Sequence, residues 1–349
     1  MAISLYIHIP FCARKCAYCD FVSYANCDGA LPGYLTRLYN EMSENSGHAL
    51  QTVFIGGGTP SLLSGEQVIE LMRHVRQNFD LLPDAEVTIE ANPGTLDPEK
   101  LNAYRASGIN RLSMGVQAKQ AHLLSILGRI HTWSDVEKSM TMARAAGFTN
   151  INLDLMYALP NQTMTDWTDT VSSAIQLNPE HISAYSLILE PDTPLAKRTD
   201  LIFPDDDTAV EMQRIGTKLL KNASLLRYEI SNYAKKDYEC RHNIAYWTRA
   251  EYLGLGTAAH SLMGNARFSN SDELDYQREL NTLLTERDAF EENVMLGTRM
   301  VRGIESNVLN MEKIERLKAL GLVKTDKALL SLTEKGMELH NQVVMELIG

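Results

Sequence analysis

Long apolar runs are missing from this sequence: no stretch approaches the roughly 18 consecutive apolar residues that cross a bilayer. The opening Met1-Ala2-Ile3-Ser4-Leu5-Tyr6 has no basic leader or cleavage site and runs straight into a strand-like segment, so the expected location is cytoplasmic. Basic residues are in the minority. Thirty-three Lys and Arg face 44 Asp and Glu, for a net charge of −11. An acidic chain is a poor match for a phosphate backbone, which argues against nucleic acid as a partner. Cysteines are few and odd in number, five in all, which together with the lack of a leader argues against a disulfide framework. Low-complexity tracts and short repeats are absent too. What remains is 349 residues of ordinary composition, enough for one large domain with a smaller one attached.

The first half alternates strand-like and helix-like segments at about 30-residue spacing. Strands are expected at Ser4–Ile9, Thr52–Ile55, Glu86–Ala91, Arg111–Val116, Ile151–Leu155 and His181–Leu187. Amphipathic helices fall between them at Gly65–Asn78, Pro98–Ala106, Trp133–Ala146 and Thr165–Leu177. Repeated βα units predict a parallel sheet, hence an α/β fold: a partial (β/α)6 barrel or a doubly wound open sheet. In a barrel, functional residues gather at the C-terminal ends of strands. After Pro194 the pattern changes. An acidic, proline-containing stretch, Phe203-Pro204-Asp205-Asp206-Asp207, leads into a helix to about Leu220 and a strand at Arg227–Ser231. Residues 285–349 read as a helix-rich, winged-helix-like unit. The domains are therefore drawn at 1–200, a connecting 201–284, and 285–349.

Three of the five cysteines crowd into Cys12-Ala13-Arg14-Lys15-Cys16-Ala17-Tyr18-Cys19, with spacing C-x3-C-x2-C. Three thiolates fit three corners of a [4Fe–4S] cube and leave the fourth iron without a protein ligand. The alternative is structural zinc, which wants four ligands, and no second CxxC pair exists to complete such a set. The motif follows the first strand, where a barrel builds its site. Ile55-Gly56-Gly57-Gly58-Thr59-Pro60 follows the second strand, and its glycines allow a ligand close to the backbone. Glu90, Gln117 and Asp154 end the next three strands, and Arg129 lies in a loop between them.

The run Ser4-Leu5-Tyr6-Ile7-His8-Ile9-Pro10-Phe11-Cys12…Lys15-Cys16…Tyr18-Cys19-Asp20-Phe21 resembles the radical SAM superfamily, specifically its HemN/HemW group. The resemblance implies a partial (β/α)6 barrel with a [4Fe–4S] cluster on Cys12, Cys16 and Cys19. It also implies S-adenosylmethionine (SAM) chelating the open iron, with electron transfer from the cluster generating a 5′-deoxyadenosyl radical. It further implies SAM contacts at Tyr6, Tyr18, Gly57, Gly58, Thr59, Glu90, Gln117, Arg129, Asp154 and Ile188, although a core role would equally account for an aliphatic residue at 188.

Within that group there are two branches. One comprises oxygen-independent coproporphyrinogen III oxidases, which decarboxylate propionates; the other comprises heme chaperones. The oxidases carry a fourth cysteine two residues after the third, where this chain has Phe21, and a substantial segment ahead of the first cysteine, here residue 12. Arg241-His242-Asn243-Ile244-Ala245-Tyr246-Trp247 contains the HNxxYW signature that the chaperone branch associates with heme. Histidine is a usual axial ligand, and Tyr and Trp offer flat faces with polar tips. The same segment would serve equally as a packed loop with His242 capping a turn. Gly254-Leu255-Gly256-Thr257-Ala258-Ala259-His260-Ser261 departs from the chaperones' usual GxGxGAHS at Ala258. Cys240 is either a soft second ligand or inert. The resemblance therefore implies a heme chaperone, not a catalyst of porphyrinogen decarboxylation. Its expected partners are heme and a heme-accepting protein such as a respiratory enzyme at the membrane, with a homodimer as one expected assembly.

Overall fold

The computed structural model describes residues 2–349. Six strands form its centre: β1 (Ile3–Ile9), β2 (Ala49–Gly57), β3 (Asp80–Ala91), β4 (Arg111–Gln117), β5 (Ile151–Tyr157) and β6 (His181–Ser186). All five junctions between them are parallel and in sequence order. Helices cover the outer face: α1 (Leu31–Glu44), α2 (Gly65–Asn78), α3 (Pro98–Ala106), α4 (Ala121–Leu127), α5 (Trp133–Ala145) and α6 (Met164–Gln176). Covered strands can be apolar on consecutive residues, and Leu5, Ile7, Val53, Ile55, Leu112, Met114, Leu153 and Leu155 are all sealed from solvent.

The helix starts follow from local chemistry. Ser64 and Gln67 form a reciprocal capping box on α2, as do Thr132 and Asp135 on α5 and Thr163 and Asp166 on α6. Each satisfies two amide donors that a helix would otherwise leave open. Asp97 caps α3 ahead of Pro98, a residue suited to the first turn.

The connecting region does not stand apart from the barrel. After α7 (Asp206–Asn222), β7 (Leu226–Arg227) and β8 (Asn232–Ala234) extend the sheet beyond β6. The single strand expected at Arg227–Ser231 is thus split. A tight reversal interrupts it, in which the Arg227 Nε donates to the Ile230 carbonyl at 3.0 Å and the Ser231 amide donates to Glu229 at 2.8 Å. The chain then forms α8 (Arg241–Trp247) and returns to the opposite side of the sheet. There β9 (Tyr252–Leu255) pairs parallel to β1, and β10 (His260–Met263), β11 (Ala266–Asn270) and β12 (Arg278–Leu283) follow antiparallel. The result is one twelve-stranded sheet, β12-β11-β10-β9-β1-β2-β3-β4-β5-β6-β8-β7.

The C-terminal unit has its own core, built around Val294, Ile314, Leu317, Leu330, Leu332 and Val343. Its order is α9 (Glu286–Gly297), β13 (Ile304–Glu305), α10 (Met311–Ala319), β14 (Val323–Asp326), β15 (Leu329–Leu332), α11 (Glu334–Glu338) and α12 (His340–Ile348). A three-stranded sheet, β13-β15-β14, with flanking helices is a winged-helix-like arrangement. No helix among the described residues is long and apolar enough to cross a membrane.

Candidate functional site

The cysteine segment is held from both sides. A two-residue ribbon, Phe11–Cys12 with Tyr24–Ala25, brackets it, and the Ala17 amide donates to the Leu127 carbonyl at 2.9 Å while the Leu195 amide donates to the Ala17 carbonyl at 2.8 Å. Its thiols face a cavity of about 370 Å³ at the C-terminal ends of the parallel strands. Cys12, Cys16 and Cys19 line that cavity together with Tyr18, Gly57, Gly58, Thr59, Glu90, Gln117, Arg129 and Asp154. Eleven positions singled out in the sequence therefore meet on one wall-to-wall space.

The glycine turn fits closely against the cysteine segment. Gly57 has φ +114°, and a Cβ there would lie 2.8 Å from the His8 ring. A Cβ on Gly58 would meet the Phe11 carbonyl at 2.7 Å and the Cys12 sulfur at 3.0 Å. Only glycine lets this turn lie so close to the first thiol. The Gly57 amide donates to Glu90 at 3.1 Å. Burial, reinforced by the charge of Asp154, pushes the Glu90 carboxyl up to about 8. Burial also raises Asp154, against hydrogen bonds from Asn152 and Ser113 at 2.8 and 3.2 Å. A paired, desolvated carboxyl floor of this kind favours a cationic ligand.

Arg129 reaches in from beyond α4. It donates to Asn92 at 2.6 Å and to the Gly115 carbonyl, and a second nitrogen lies 3.6 Å from the Cys16 sulfur. Asn92 passes a hydrogen bond on to Thr59 at 3.0 Å, and the Thr59 hydroxyl lies 3.5 Å from the Cys12 sulfur. Donors aimed at sulfur stabilise negative charge on a thiolate or cluster. A register shift between β4 and β5 at Gly115–Gln117 turns Gln117 into the cavity with φ +66°. Such a bulge re-aims a side chain at a modest strain.

Two predicted SAM contacts lie elsewhere. The Tyr6 hydroxyl bonds His8 at 3.0 Å, and Tyr6 lines a neighbouring cavity. Ile188 lies beyond the end of β6, is 72% exposed and does not line the space; Tyr185 and Met156 occupy that wall. Asn92, Ser113 and Arg14 line the cavity without having been singled out, and Phe21, marked only as the residue in place of a fourth cysteine, lines it too. Asn92 carried one signal: it sits before Pro93 at a strand end, where the backbone leaves the sheet.

Among the described residues, no three His, Cys, Asp or Glu side chains gather tightly enough to hold one metal ion. Cys12, Cys16 and Cys19 are free thiols that line one cavity. Cys240 is fully buried beside Glu86, and burial pushes its thiol up to about 12. Cys27 bonds its own loop carbonyl, Ala25, at 3.4 Å.

His242 is 1% exposed on α8. Its Nδ1 bonds Thr52 at 2.8 Å, its Nε2 bonds the Tyr246 hydroxyl at 3.0 Å, and its ring stacks on Phe54 with centroids 5.1 Å apart. Burial drives its pKa down to about 3, so it is a neutral ring with both nitrogens engaged. The His242 and Arg241 amides both donate to Glu86 on β3 at 3.1 Å, which fastens α8 to the barrel. In this conformation His242 braces Tyr246 and offers no free nitrogen to an iron. The next two aromatic residues of the signature do face open space. Tyr246 and Trp247 line a second cavity of about 590 Å³ with Tyr6, Tyr252 and Phe21. Phe21 borders both cavities, so the segment just past Cys19 is the partition between them.

A barrel of six parallel strands, with a three-cysteine loop after β1 and a glycine turn after β2, is the arrangement of a radical SAM protein. The sequence profile of the Radical SAM superfamily matches residues 6–174. The chain is 42% identical to the heme chaperone HemW of Escherichia coli (strain K12) over 264 residues, covering 74% of this chain and 69% of that one. It is 35% identical to the heme chaperone HemW of Bacillus subtilis (strain 168) over 379 aligned positions, covering 99% of both. In fold it resembles the coproporphyrinogen III oxidase HemN from Escherichia coli, with TM-score 0.87 and 24% identity over 99% of this chain and 89% of that one. The chain belongs to the HemW family of radical SAM proteins.

Proposed function

We propose that this chain is a heme chaperone that carries a [4Fe–4S] cluster and SAM beside its heme site. The observation that carries the reading is the pair of adjoining cavities. One gathers three thiols, a carboxyl pair and an arginine; the other is aromatic and flanked by two further arginines. Cys12, Cys16 and Cys19 hold the cluster. Gly57, Gly58 and Thr59 shape the turn that receives the SAM amino group, and Glu90, Gln117, Arg129 and Asp154 set the polarity around it. When bound and reduced, cluster and SAM together supply a 5′-deoxyadenosyl radical. Tyr18 and Phe21 close the space over the thiols. Tyr246 and Trp247 give the porphyrin flat apolar walls, and the loaded protein hands heme to an acceptor in the cytoplasm or at the membrane face.

The names of similar HemW proteins support the heme role, and the C-x3-C-x2-C spacing together with the Radical SAM match supports a cube over a single ion. Three measurements test the reading. Anaerobic purification with iron, sulfide and zinc analysis should give near four irons and four sulfides per chain for one cube; zinc without sulfide would remove the cluster. Hemin titration should reach one equivalent. An anaerobic assay with SAM, reductant and coproporphyrinogen III should yield no protoporphyrinogen, and its formation would replace chaperone with oxidase.

A further inference from the structure

The aromatic cavity contains more than the signature residues. Three histidines lie at or near it. His8 is 5% exposed, with Nδ1 on the Tyr6 hydroxyl at 3.0 Å and Nε2 on the Val22 carbonyl at 2.9 Å. His242 is buried behind the wall with both nitrogens taken. His260 is exposed and lines the cavity, and among the described residues no hydrogen bond engages its imidazole. A heme iron needs a neutral imidazole with a free lone pair facing open space. Only the third ring meets that need.

His260 is also well anchored. It begins β10, pairs with Ser269 on β11, and its carbonyl sits against Gly254, where a Cβ would come within 2.2 Å. A ligand on a paired strand is placed more firmly than one on a loop.

The cavity's unpartnered donors point the same way. Arg249 and Arg267 both line it, and both donate to the single carboxylate of Glu292 at 2.8 Å. Asp20 and Asp272 line the same cavity, so its charged groups carry no positive excess, and what distinguishes it is donors that lack an acceptor. One terminal nitrogen of Arg249 and the indole nitrogen of Trp247 are buried with no partner. A buried donor without an acceptor is costly, and a carboxylate would satisfy both. The cavity therefore has an imidazole on one wall, aromatic faces around it, and unspent donors suited to an acid.

We infer that His260, not His242, is the axial ligand of heme in this cavity, with Arg249 and Trp247 receiving a propionate. The inference rests on the heme reading above. The test uses full-length, cluster-loaded protein and hemin, followed by difference absorbance and by electron paramagnetic resonance of the ferric heme. Wild type should show a histidine-ligated spectrum at one equivalent. His260→Ala should lose that spectrum and bind at least about tenfold more weakly, with free imidazole restoring the histidine-ligated signal. His242→Gln, which preserves a buried hydrogen-bonding side chain, should keep the wild-type spectrum. Arg249→Gln should weaken binding with the spectrum unchanged. His260 is exposed, so iron content and melting temperature of His260→Ala should match wild type and exclude misfolding. A wild-type spectrum in His260→Ala overturns the ligand assignment while leaving heme binding intact. Failure of wild type to bind hemin overturns the heme reading itself.

Discussion

Alanine at position 58 tests how far the glycine turn governs the cysteine segment. A Cβ there would lie 2.7 Å from the Phe11 carbonyl and 3.0 Å from the Cys12 sulfur. A carbon–oxygen contact ordinarily settles near ~3.3 Å or beyond, so the turn must retreat by roughly half an ångström. Two hydrogen bonds resist: Gly58 donates to Ile9 at 2.9 Å and Thr59 to Phe11 at 2.8 Å. Overpacking costs about 1–3 kcal/mol, and a weakened backbone hydrogen bond adds about 1 kcal/mol. The sum, about 2–4 kcal/mol, shifts the closed-to-open ratio of the turn by a factor of roughly thirty to a thousand. Iron and sulfide per chain after anaerobic dialysis against a chelator should therefore fall well below wild type in Gly58→Ala. Gly33 gives the contrasting case. It lies inside α1 with nothing within 4 Å of a Cβ, so Gly33→Ala should stabilise by about 0.5–1 kcal/mol and leave iron unchanged. Equal iron retention and equal melting temperatures in Gly58→Ala and wild type would refute the steric account.

Glu90 predicts a pH dependence. With its carboxyl raised to about 8, it is largely protonated at neutral pH, and a bound sulfonium cation favours the ionised form. SAM affinity, measured by anaerobic equilibrium dialysis, should rise with pH by at most about tenfold per unit and level off above about pH 8; Glu90→Gln should flatten the profile. Glu41 on α1 accepts hydrogen bonds from Gly256, Asn270, Tyr276 and Arg278 at 2.9, 2.7, 2.7 and 3.0 Å. Glu41→Ala strands these donors at a cost of about 3–5 kcal/mol, and amide exchange should quicken across 256–278 while the central strands stay protected. Ala258 has φ +55°, in the left-handed region that favours glycine. Ala258→Gly should stabilise by about 0.5–1 kcal/mol, read as a higher melting temperature.

The barrel was legible because its signals are local. Parallel strands covered by helices read as continuous apolar runs, and the capping residues Ser64, Asp97, Thr132 and Thr163 sit beside the helices they start. The polar residues at successive strand ends converge because the strands are parallel and in order. What the sequence withheld depends on distant partners. Nothing near Tyr6 tells that it will line the cavity of Tyr246 and Trp247, which come some 240 positions later. α8 becomes a braced helix because Glu86, some 155 positions earlier, accepts the Arg241 and His242 amides. That non-local carboxylate turns His242 from an apparent ligand into a strut. The strands from Tyr252 to Leu283 were hidden for a related reason: their place is set by the pairing of β9 with β1 at the other end of the chain.

Glu292 belongs to α9, the first helix of the C-terminal unit, yet its carboxylate is spent on two arginines of the aromatic cavity. Leu296 of the same helix lines that cavity. An acid that draws Arg249 away from Glu292 must loosen this attachment, and a partner that pulls α9 aside must free both arginines. Thermodynamic linkage makes the two effects equal in free energy. Cargo occupancy would thus be readable from the outer face of the C-terminal unit, and a protein docking there would change cargo affinity without touching it.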